Sequence, residues 1–447
     1  MTTFVRTVAA LGLVLVAWLL GGSRSREEVV QAPIVRLAVK HPWLTTGAMA
    51  IGAFLIAAVL VTSGIVPIKA SSGHWRITAA FLDFAKTRSV STHAWGIEAP
   101  PLDDEALVLR GAGQYENVCL PCHGGPGRRL PPVMAAMTPP PPELTSRVAR
   151  WAPEELFSIV KHGIKFTGMP AWPVRQRDDE VWAMVAFLRR MPQLDASAYR
   201  SLAFGDTGAP GTSPSVAVTG SPPPPAVRNI CWRCHGLDGT GRGTGAFPSL
   251  AGQRAEYLYA SLRAFADRSR FSGIMGGVAA NLSDDGMRAA AAYYAGLPAR
   301  QVEHSHERSA LARGAAIASR GIPERDIPAC VECHGPTDRP KNPAYPRLAG
   351  QHVRYLAEQL RLLQQRHRGG SPNVTLMHVF VDRLPARDIR DVTLYYGSGA
   401  PRLLTTYGPR VPGASGGSST GAGVGSVGGI PGVSSSSSPS RSGRSGS

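Results

Sequence analysis

Two apolar runs mark the N-terminal part of the sequence. Leu44–Ile68 is a run of 25 residues without a charged side chain, and Thr7–Ser23 is a shorter run rich in Leu, Val and Ala. As a helix the longer run would extend about 37 Å, enough to cross a hydrocarbon core of roughly 30 Å. Trp43 and Trp75 flank it where membrane interfaces favour tryptophan. This pattern predicts a transmembrane helix over residues 44–68.

Basic residues around these runs predict an orientation. Four basic residues lie between the two runs, whereas one precedes the first. Positively charged connectors stay in the cytoplasm, so the chain after Ile68 is predicted to lie on the outer side. The expected location is the bacterial inner (cytoplasmic) membrane, with the later regions in the periplasm. For residues 7–23 the sequence leaves open a second span, a segment that does not insert, and a misassigned start site.

Beyond residue 69 the pattern is typical of helices separated by Gly and Pro loops. Asp178–Arg190, for example, carries Trp182, Val185 and Phe187 at helical spacing. A Gly, Ser and Pro-rich linker ends in Pro222–Pro225, and a Gly/Ser tail with almost no apolar content is expected to be disordered. We therefore predict an all-α chain with these segments: N-terminal stretch and connector 1–43, transmembrane helix 44–68, juxtamembrane segment 69–101, first region 102–198, linker 199–225, second region 226–298, third region 299–399 and tail 400–447.

The second and third regions repeat one sequence pattern. Leu250–Gln253 recurs as Leu348–Gln351 at an offset of 98 residues, whereas Met275 recurs as Met377 at an offset of 102. This change of offset predicts a four-residue insertion in the intervening loop of the third region. A duplicated unit also places the two methionines at equivalent points of two equivalent folds.

All six cysteines lie in Cys-x-x-Cys-His motifs. The sequence holds three of them: Cys119, Cys122 and His123; Cys231, Cys234 and His235; Cys330, Cys333 and His334. This motif is the attachment site of a c-type haem, in which two thiols bond to the porphyrin and the histidine binds the iron. We therefore predict three covalently attached c-type haems. Structural zinc would need two such pairs close together, and thioredoxin-like chemistry would need a βαβ frame that the pattern does not show.

Methionines downstream of the motifs are candidates for the sixth iron ligand. Met169, Met275 and Met377 follow their histidines by 40 to 46 residues, and Met169 lies in a Gly-Met-Pro loop. His/Met coordination is typical of electron-transfer cytochromes and raises the reduction potential. A single methionine can instead fill a gap in a core. The rival ligands that the sequence leaves open are Met134, Met137 and His162 in the first region and His378 in the third.

Prolines after each motif predict support for the histidines. Pro142, Pro248 and Pro346 follow their motifs at comparable places. A backbone carbonyl there would accept the Nδ1–H of the histidine and fix its orientation, as is common for iron-bound imidazoles. The alternative is an ordinary loop turn.

The charge of the chain is strongly positive, at +17 with a sequence pI of about 10.1. Such a balance can indicate nucleic acid binding. We expect no nucleic acid partner, because covalent haem chemistry belongs outside the cytoplasm, and each haem adds two propionates. The surplus charge is interpreted mainly as solvated surface; the less favoured interpretation is that it helps to dock an acidic redox partner.

These motifs resemble two kinds of cytochrome. Segments 231–298 and 328–397 resemble the two haem lobes of the dihaem cytochrome c4 family, which implies Met275 and Met377 as axial ligands. The first region resembles a single-haem class I cytochrome c, in which Gly111 and Tyr115 would pack an N-terminal helix on a C-terminal one. The resemblance therefore implies three class I cytochrome c domains in tandem. The second region departs from it, because Pro223 and Val227 stand where the helix-packing pair belongs. The second haem is then more exposed or covered by a neighbour.

The function implied by this resemblance is electron transfer, without enzymatic activity of its own. A membrane-anchored periplasmic cytochrome would relay electrons in a respiratory chain, from a quinol-oxidising complex toward a haem–copper terminal oxidase. The alternative is the cytochrome subunit of a periplasmic alcohol or sugar-acid dehydrogenase. Those subunits typically have threonine after the histidine, whereas Gly124, Gly236 and Gly335 stand here. A peroxidase would need an open sixth position, but each region has a methionine candidate.

Overall fold

The computed structural model describes residues 42–65, 69–205, 222–302, 305–337, 339–371 and 373–398. These residues form α-helices and loops without a strand, and the two bridges Gly125–Arg128 and Ile322–Ile327 are isolated pairs. The all-α prediction is confirmed for the described residues. The predictions for the run 7–23, the connector, most of the linker and the tail 400–447 lie outside the described residues.

Two helices precede the first region: α1 (Pro42–Thr62) and α2 (Arg76–Ala94). The apolar run and the helix are not coextensive, because α1 ends at Thr62 and Gly64 adopts a positive φ of 68°. Among the described residues, no helix is both long and apolar enough to span a membrane. The predicted anchor at 44–68, and with it the inner-membrane location, is therefore wrong.

The first region is built around a crossing of two helices. Its helices are α3 (Glu105–Val118), α4 (Leu120–His123), α5 (Pro132–Ala135), α6 (Leu144–Arg147), α7 (Pro153–His162), α8 (Asp178–Arg190) and α9 (Ala196–Phe204). α3 crosses α8 at Gly111, where an added Cβ would lie 2.0 Å from the carbonyl oxygen of Ala183. One turn later Tyr115 is fully buried and its ring lies 5.2 Å from that of Phe187. The pair Gly111 and Tyr115 thus packs the two helices as predicted.

Helix α9 extends the core of the first region beyond residue 198. Tyr199 is 1% exposed and meets Tyr115 edge to face, with ring centroids 6.3 Å apart. Its hydroxyl donates a hydrogen bond to Glu116 Oε2 at 2.5 Å. The segment predicted as the start of a linker is therefore helical as far as Phe204 and packs on this core.

The second and third regions share one arrangement of helices. These are α10 (Trp232–His235), α11 (Ala255–Ala266), α12 (Met275–Ala280) and α13 (Asp284–Ala295) in the second, and α14 (Arg308–Arg320), α15 (Val331–His334), α16 (Val353–Gln364), α17 (Val374–Val381) and α18 (Ala386–Gly397) in the third. α16 begins and ends 98 residues after α11. The loop after α16 is one residue longer than its counterpart, and α17 begins three residues before Met377. The four extra residues thus lie partly in a helix.

The N-terminal helix distinguishes the third region from the second. In the third region α14 crosses α18 at Gly314, where an added Cβ would lie 2.1 Å from the carbonyl oxygen of Asp391. In the second region, the helical residues before the motif begin only at Pro225 and include the π-helical turn Val227–Cys231. Proline cannot donate to a helical ladder but is tolerated at the first helical position, so the Pro222–Pro225 run prevents this helix from starting before Pro225. The predicted truncation is confirmed.

Candidate functional site

Each Cys-x-x-Cys-His motif folds as a single helical turn. The turns are α4, α10 and α15, and each ends at its histidine. The next residue is glycine with a positive φ: 65° at Gly124, 78° at Gly236 and 70° at Gly335. Side chains rarely adopt this conformation, so glycine ends the turn cheaply. The two cysteines and the histidine of a motif are thereby held on one short rigid element.

The histidine of every motif is oriented by a prolyl carbonyl. The distances from Nδ1 to the carbonyl oxygen are 2.9 Å for His123 and Pro142, 3.1 Å for His235 and Pro248, and 2.9 Å for His334 and Pro346. A carbonyl only accepts, so Nδ1 carries the proton and Nε2 keeps a lone pair for a metal. This confirms the support that the proline spacing predicts.

Burial favours the uncharged form of the three histidines and of the thiols of Cys119, Cys231, Cys234 and Cys330. It lowers the pKa of His123, His235 and His334. Burial also raises the pKa of Cys119 to about 12 and that of Cys234 to about 11, so both are protonated thiols at neutral pH. Within the described ranges, no group of three or more His, Cys, Asp or Glu side chains is arranged to hold a metal ion.

One cavity connects the second and third motifs. It is lined by Cys234, His235 and Met275 from the second region and by Cys333, His334 and Met377 from the third. The rest of its wall is mostly apolar, with Leu258, Leu356 and Tyr396 among the lining residues. Each methionine thus faces the same cavity as the histidine of its own region.

A hydrogen bond holds Met275, and core packing holds Met377. The N–H of Met275 donates to Ser272 Oγ at 3.0 Å at the start of α12. Met377 is on α17 and packs against a core that contains Val381 and Leu384. The neighbouring His378 points elsewhere, because its Nε2–H donates to the carbonyl oxygen of Arg368 at 3.1 Å. These contacts favour Met377 over His378 as a ligand.

Met169 of the first region lies in a tight loop between α7 and α8. Its carbonyl oxygen accepts from Ile164 N at 3.2 Å, and its N–H donates to Thr167 Oγ1 at 3.1 Å. The side chain of the rival Met137 also reaches this loop, since an added Cβ at Gly168 would lie 2.5 Å from its Cε. His162 is exposed in the last turn of α7.

Two arginines, Arg270 (buried) and Arg368 (half-buried), test whether the cavity fits a haem. Arg270 donates to Ser261 Oγ at 2.9 Å and to Tyr355 OH at 3.1 Å, and Arg368 donates to Tyr257 OH at 3.0 Å. Within the described residues neither guanidinium forms a salt bridge, although both line the cavity. Buried cations need anionic partners, which haem propionates would supply. The cavity therefore fits two haems, held through the motif cysteines, the histidines and these arginines.

The sequence analysis missed this arginine cluster, although the repeat contained the signal. Arg368 follows Arg270, and Tyr355 follows Tyr257, at the same offset of 98 residues that relates Leu348–Gln351 to Leu250–Gln253. Burial would raise the pKa of Tyr257, but the guanidiniums of Arg270 and Arg368 lower it to about 7. The four side chains form a positively charged centre between the two haem-type sites.

A second missed feature is a set of buried ion pairs between regions. Arg110 on α3 donates both Nη atoms to the Glu358 carboxylate on α16, at 3.0 and 2.7 Å. Arg177 Nη1 lies 3.2 Å from Glu180 Oε1 and donates to the carbonyl oxygen of Phe271 at 2.6 Å. The first region is thus tied to the second and third by charged groups that are nearly inaccessible to water.

Together, the histidine turns, their prolyl carbonyls and the helix crossings define a c-type cytochrome. Residues 106–188 match the family model described as cytochrome c oxidase, cbb3-type, subunit III, and residues 226–301 match the model described as cytochrome c. The thiosulfate dehydrogenase electron acceptor of Stutzerimonas stutzeri is 39% identical over 150 residues, which cover 33% of this chain and 69% of that protein.

Cytochromes c4 are further relatives. That of Pseudomonas aeruginosa is 31% identical over 167 residues, covering 37% of this chain and 82% of that protein. A solved cytochrome c4 structure from Acidithiobacillus ferrooxidans is 32% identical, covers 38% of this chain and 98% of its own, and gives a TM-score of 0.33. The chain belongs to the multihaem class I cytochromes c. It carries covalently bound c-type haem and is an electron-transfer protein that works with redox partners.

Proposed function

We propose that three haems, bonded at Cys119/Cys122, Cys231/Cys234 and Cys330/Cys333, form an electron relay within three tandem class I cytochrome c domains. Their axial ligands would be His123 and Met169, His235 and Met275, and His334 and Met377. A bound haem supplies one-electron chemistry at its iron.

The observation that carries this proposal is the common orientation of the three histidines. Each holds a prolyl carbonyl through Nδ1 at 2.9 to 3.1 Å and leaves Nε2 available. Such a partner fixes the ring and raises its basicity as a ligand. The shared cavity adds support, because it brings the second and third sites together with a methionine facing each.

The protein would tune each potential through ligand type, burial and nearby charge. The thioether ligands favour the reduced state, as do the guanidiniums of Arg270 and Arg368, because reduction removes one positive charge from the iron. The mostly apolar lining of the cavity would strengthen these electrostatic effects.

For the redox partners we propose a direction toward a haem–copper terminal oxidase. The match of residues 106–188 to a model named for an oxidase subunit supports this choice. A second candidate is the cytochrome subunit of a dehydrogenase, as the sequence also allows. Two relatives named as electron acceptors of thiosulfate dehydrogenase support a dehydrogenase partner. The substrate of that dehydrogenase would then be an inorganic sulfur compound and not an alcohol or a sugar acid.

Haem counting and reduction kinetics test these proposals. Alkaline pyridine spectra of the purified protein should give three haems per chain, and Cys234→Ala should lower the yield of stable covalent haem at the second site only. Stopped-flow mixing would then separate the two partner classes. The reduced protein would be mixed with a haem–copper terminal oxidase, and the oxidised protein with thiosulfate dehydrogenase and thiosulfate. A count below three would reject the relay as proposed.

A further inference from the structure

Helix α3 of the first region also packs against the second Cys-x-x-Cys-His motif. An added Cβ at Gly113 would lie 3.3 Å from Cys234 Sγ and 3.0 Å from Phe247 Cζ. One turn earlier, Arg110 Nε donates to the carbonyl oxygen of Ala246 at 3.1 Å. Because Gly113 has no side chain, the backbone of α3 itself forms part of the wall around Cys234.

Helix α9 covers the same motif from another side. Phe204 stacks on Trp232 with ring centroids 6.4 Å apart. Arg242 donates to the carbonyl oxygens of Leu202 and Ser201 at 2.8 and 2.9 Å. The first region therefore covers the second site where the second region's own N-terminal helix is shortened and begins only at Pro225.

Besides Arg110, α3 presents the polar side chain of Gln114 to this site. Gln114 is 4% exposed and lines the cavity that Cys231, Cys234 and His235 also line. Its Oε1 has no hydrogen-bond partner among the described residues, which is rare for a buried amide oxygen. Burying an unpaired acceptor costs free energy. We therefore expect Gln114 Oε1 to interact with the haem that the cavity would hold.

We propose that the first region completes the pocket of the second haem and that Gln114 is a positioning residue that tunes the reduction potential of this haem. The inference rests on the proposed function, since it needs a haem at Cys231 and Cys234. The partial negative charge of Oε1 favours the oxidised iron, which carries one more positive charge. In a buried site this interaction is poorly screened, so the amide lowers the potential.

Two substitutions with opposite charge effects test this role. Gln114→Leu removes the dipole and makes the pocket more apolar, and both changes favour the reduced iron. We expect its reduced-to-oxidised ratio at fixed potential to rise about tenfold at one haem, which is a shift of about 59 mV for one electron. Gln114→Glu should shift the same haem in the opposite direction, and more so at higher pH as the carboxyl ionises.

The experiment is a spectroelectrochemical titration of the full haem-loaded chain. Gln193→Leu, an exposed change in the same region, is the matched control and should leave all midpoints unchanged. Met275→His identifies the second haem, because a histidine ligand lowers the potential of that haem. Shifts of both variants in the same direction, or no shift at the second haem, would overturn the role of Gln114. A wild-type haem count below three would instead overturn the proposed function.

Discussion

Replacing Glu180 by alanine should loosen the junction between the first and second regions. Glu180 is 3% exposed and accepts hydrogen bonds from Trp172 Nε1 at 3.1 Å, Ser272 Oγ at 2.6 Å and Gly273 N at 2.7 Å. Its carboxylate also pairs with Arg177 at 3.2 Å. Alanine would leave three buried donors and one guanidinium without this acceptor.

The expected loss of unfolding free energy depends on which interactions the partners of Glu180 retain after the substitution. Breaking a buried ion pair typically costs about 3–5 kcal/mol. Arg177 retains Asp179, whose Oδ2 accepts from its Nη2 at 2.7 Å, so the lower end of this range applies. We expect Glu180→Ala to lower the free energy of unfolding by about 3 kcal/mol. Glu180→Gln keeps an acceptor oxygen and should cost about 1–2 kcal/mol.

Urea unfolding of the haem-loaded protein would measure these changes. Asp178→Asn is the matched control on the same helical turn, because its pair with Lys161 is largely exposed and worth less than about 1 kcal/mol. Ser272 Oγ also holds the N–H of Met275, so Glu180→Ala should increase carbon monoxide binding at the second haem. If Glu180→Ala were no less stable than Asp178→Asn, the reasoning about this junction would be refuted.

Three further predictions concern the third region and the shared cavity. Met377→Ala should raise carbon monoxide binding at one haem while all haems stay attached, whereas His378→Ala should not; equal difference spectra for Met377→Ala and wild type would reject Met377 as a ligand. Gly314→Ala should cost about 2 kcal/mol in thermal unfolding, because its Cβ would lie 2.1 Å from a carbonyl oxygen, whereas Gly277→Ala has open space and should cost nothing. Arg368→Leu should lower at least one midpoint potential in a redox titration, and unchanged midpoints would show that this guanidinium does not act on the haems.

Local features of the site were predictable because each depends on a short stretch of sequence. A Cys-x-x-Cys-His motif followed by glycine specifies one helical turn, and three prolines at similar spacing indicated one carbonyl contact made three times. The resemblance to class I cytochromes c implied the helix crossing at Gly111 and Tyr115, and only glycine allows α3 to approach Ala183 so closely. The duplicated pattern predicted equivalent helices, although part of its insertion lies in α17.

Contacts between regions could not be predicted in the same way. Glu180 meets Ser272 across 92 positions of sequence, and Arg110 meets Glu358 across 248. No periodicity connects such residues, because their pairing depends on how complete helices pack. The wrong prediction over residues 44–68 has a similar cause. The sequence gave the length of the apolar run but not the bounds of the helix, which ends at Thr62.

The double use of α3 constrains how this protein can be cut or recombined. Leu109 and Phe247, each 7% exposed, belong to one apolar cluster although they lie on opposite sides of the linker. A fragment that stops at Phe204 would present Leu109 to water, and the complementary fragment would present Phe247. Exchanging the first cytochrome unit for a homologous one would therefore require redesign of the outer surface of α3, and these units cannot be treated as independent modules.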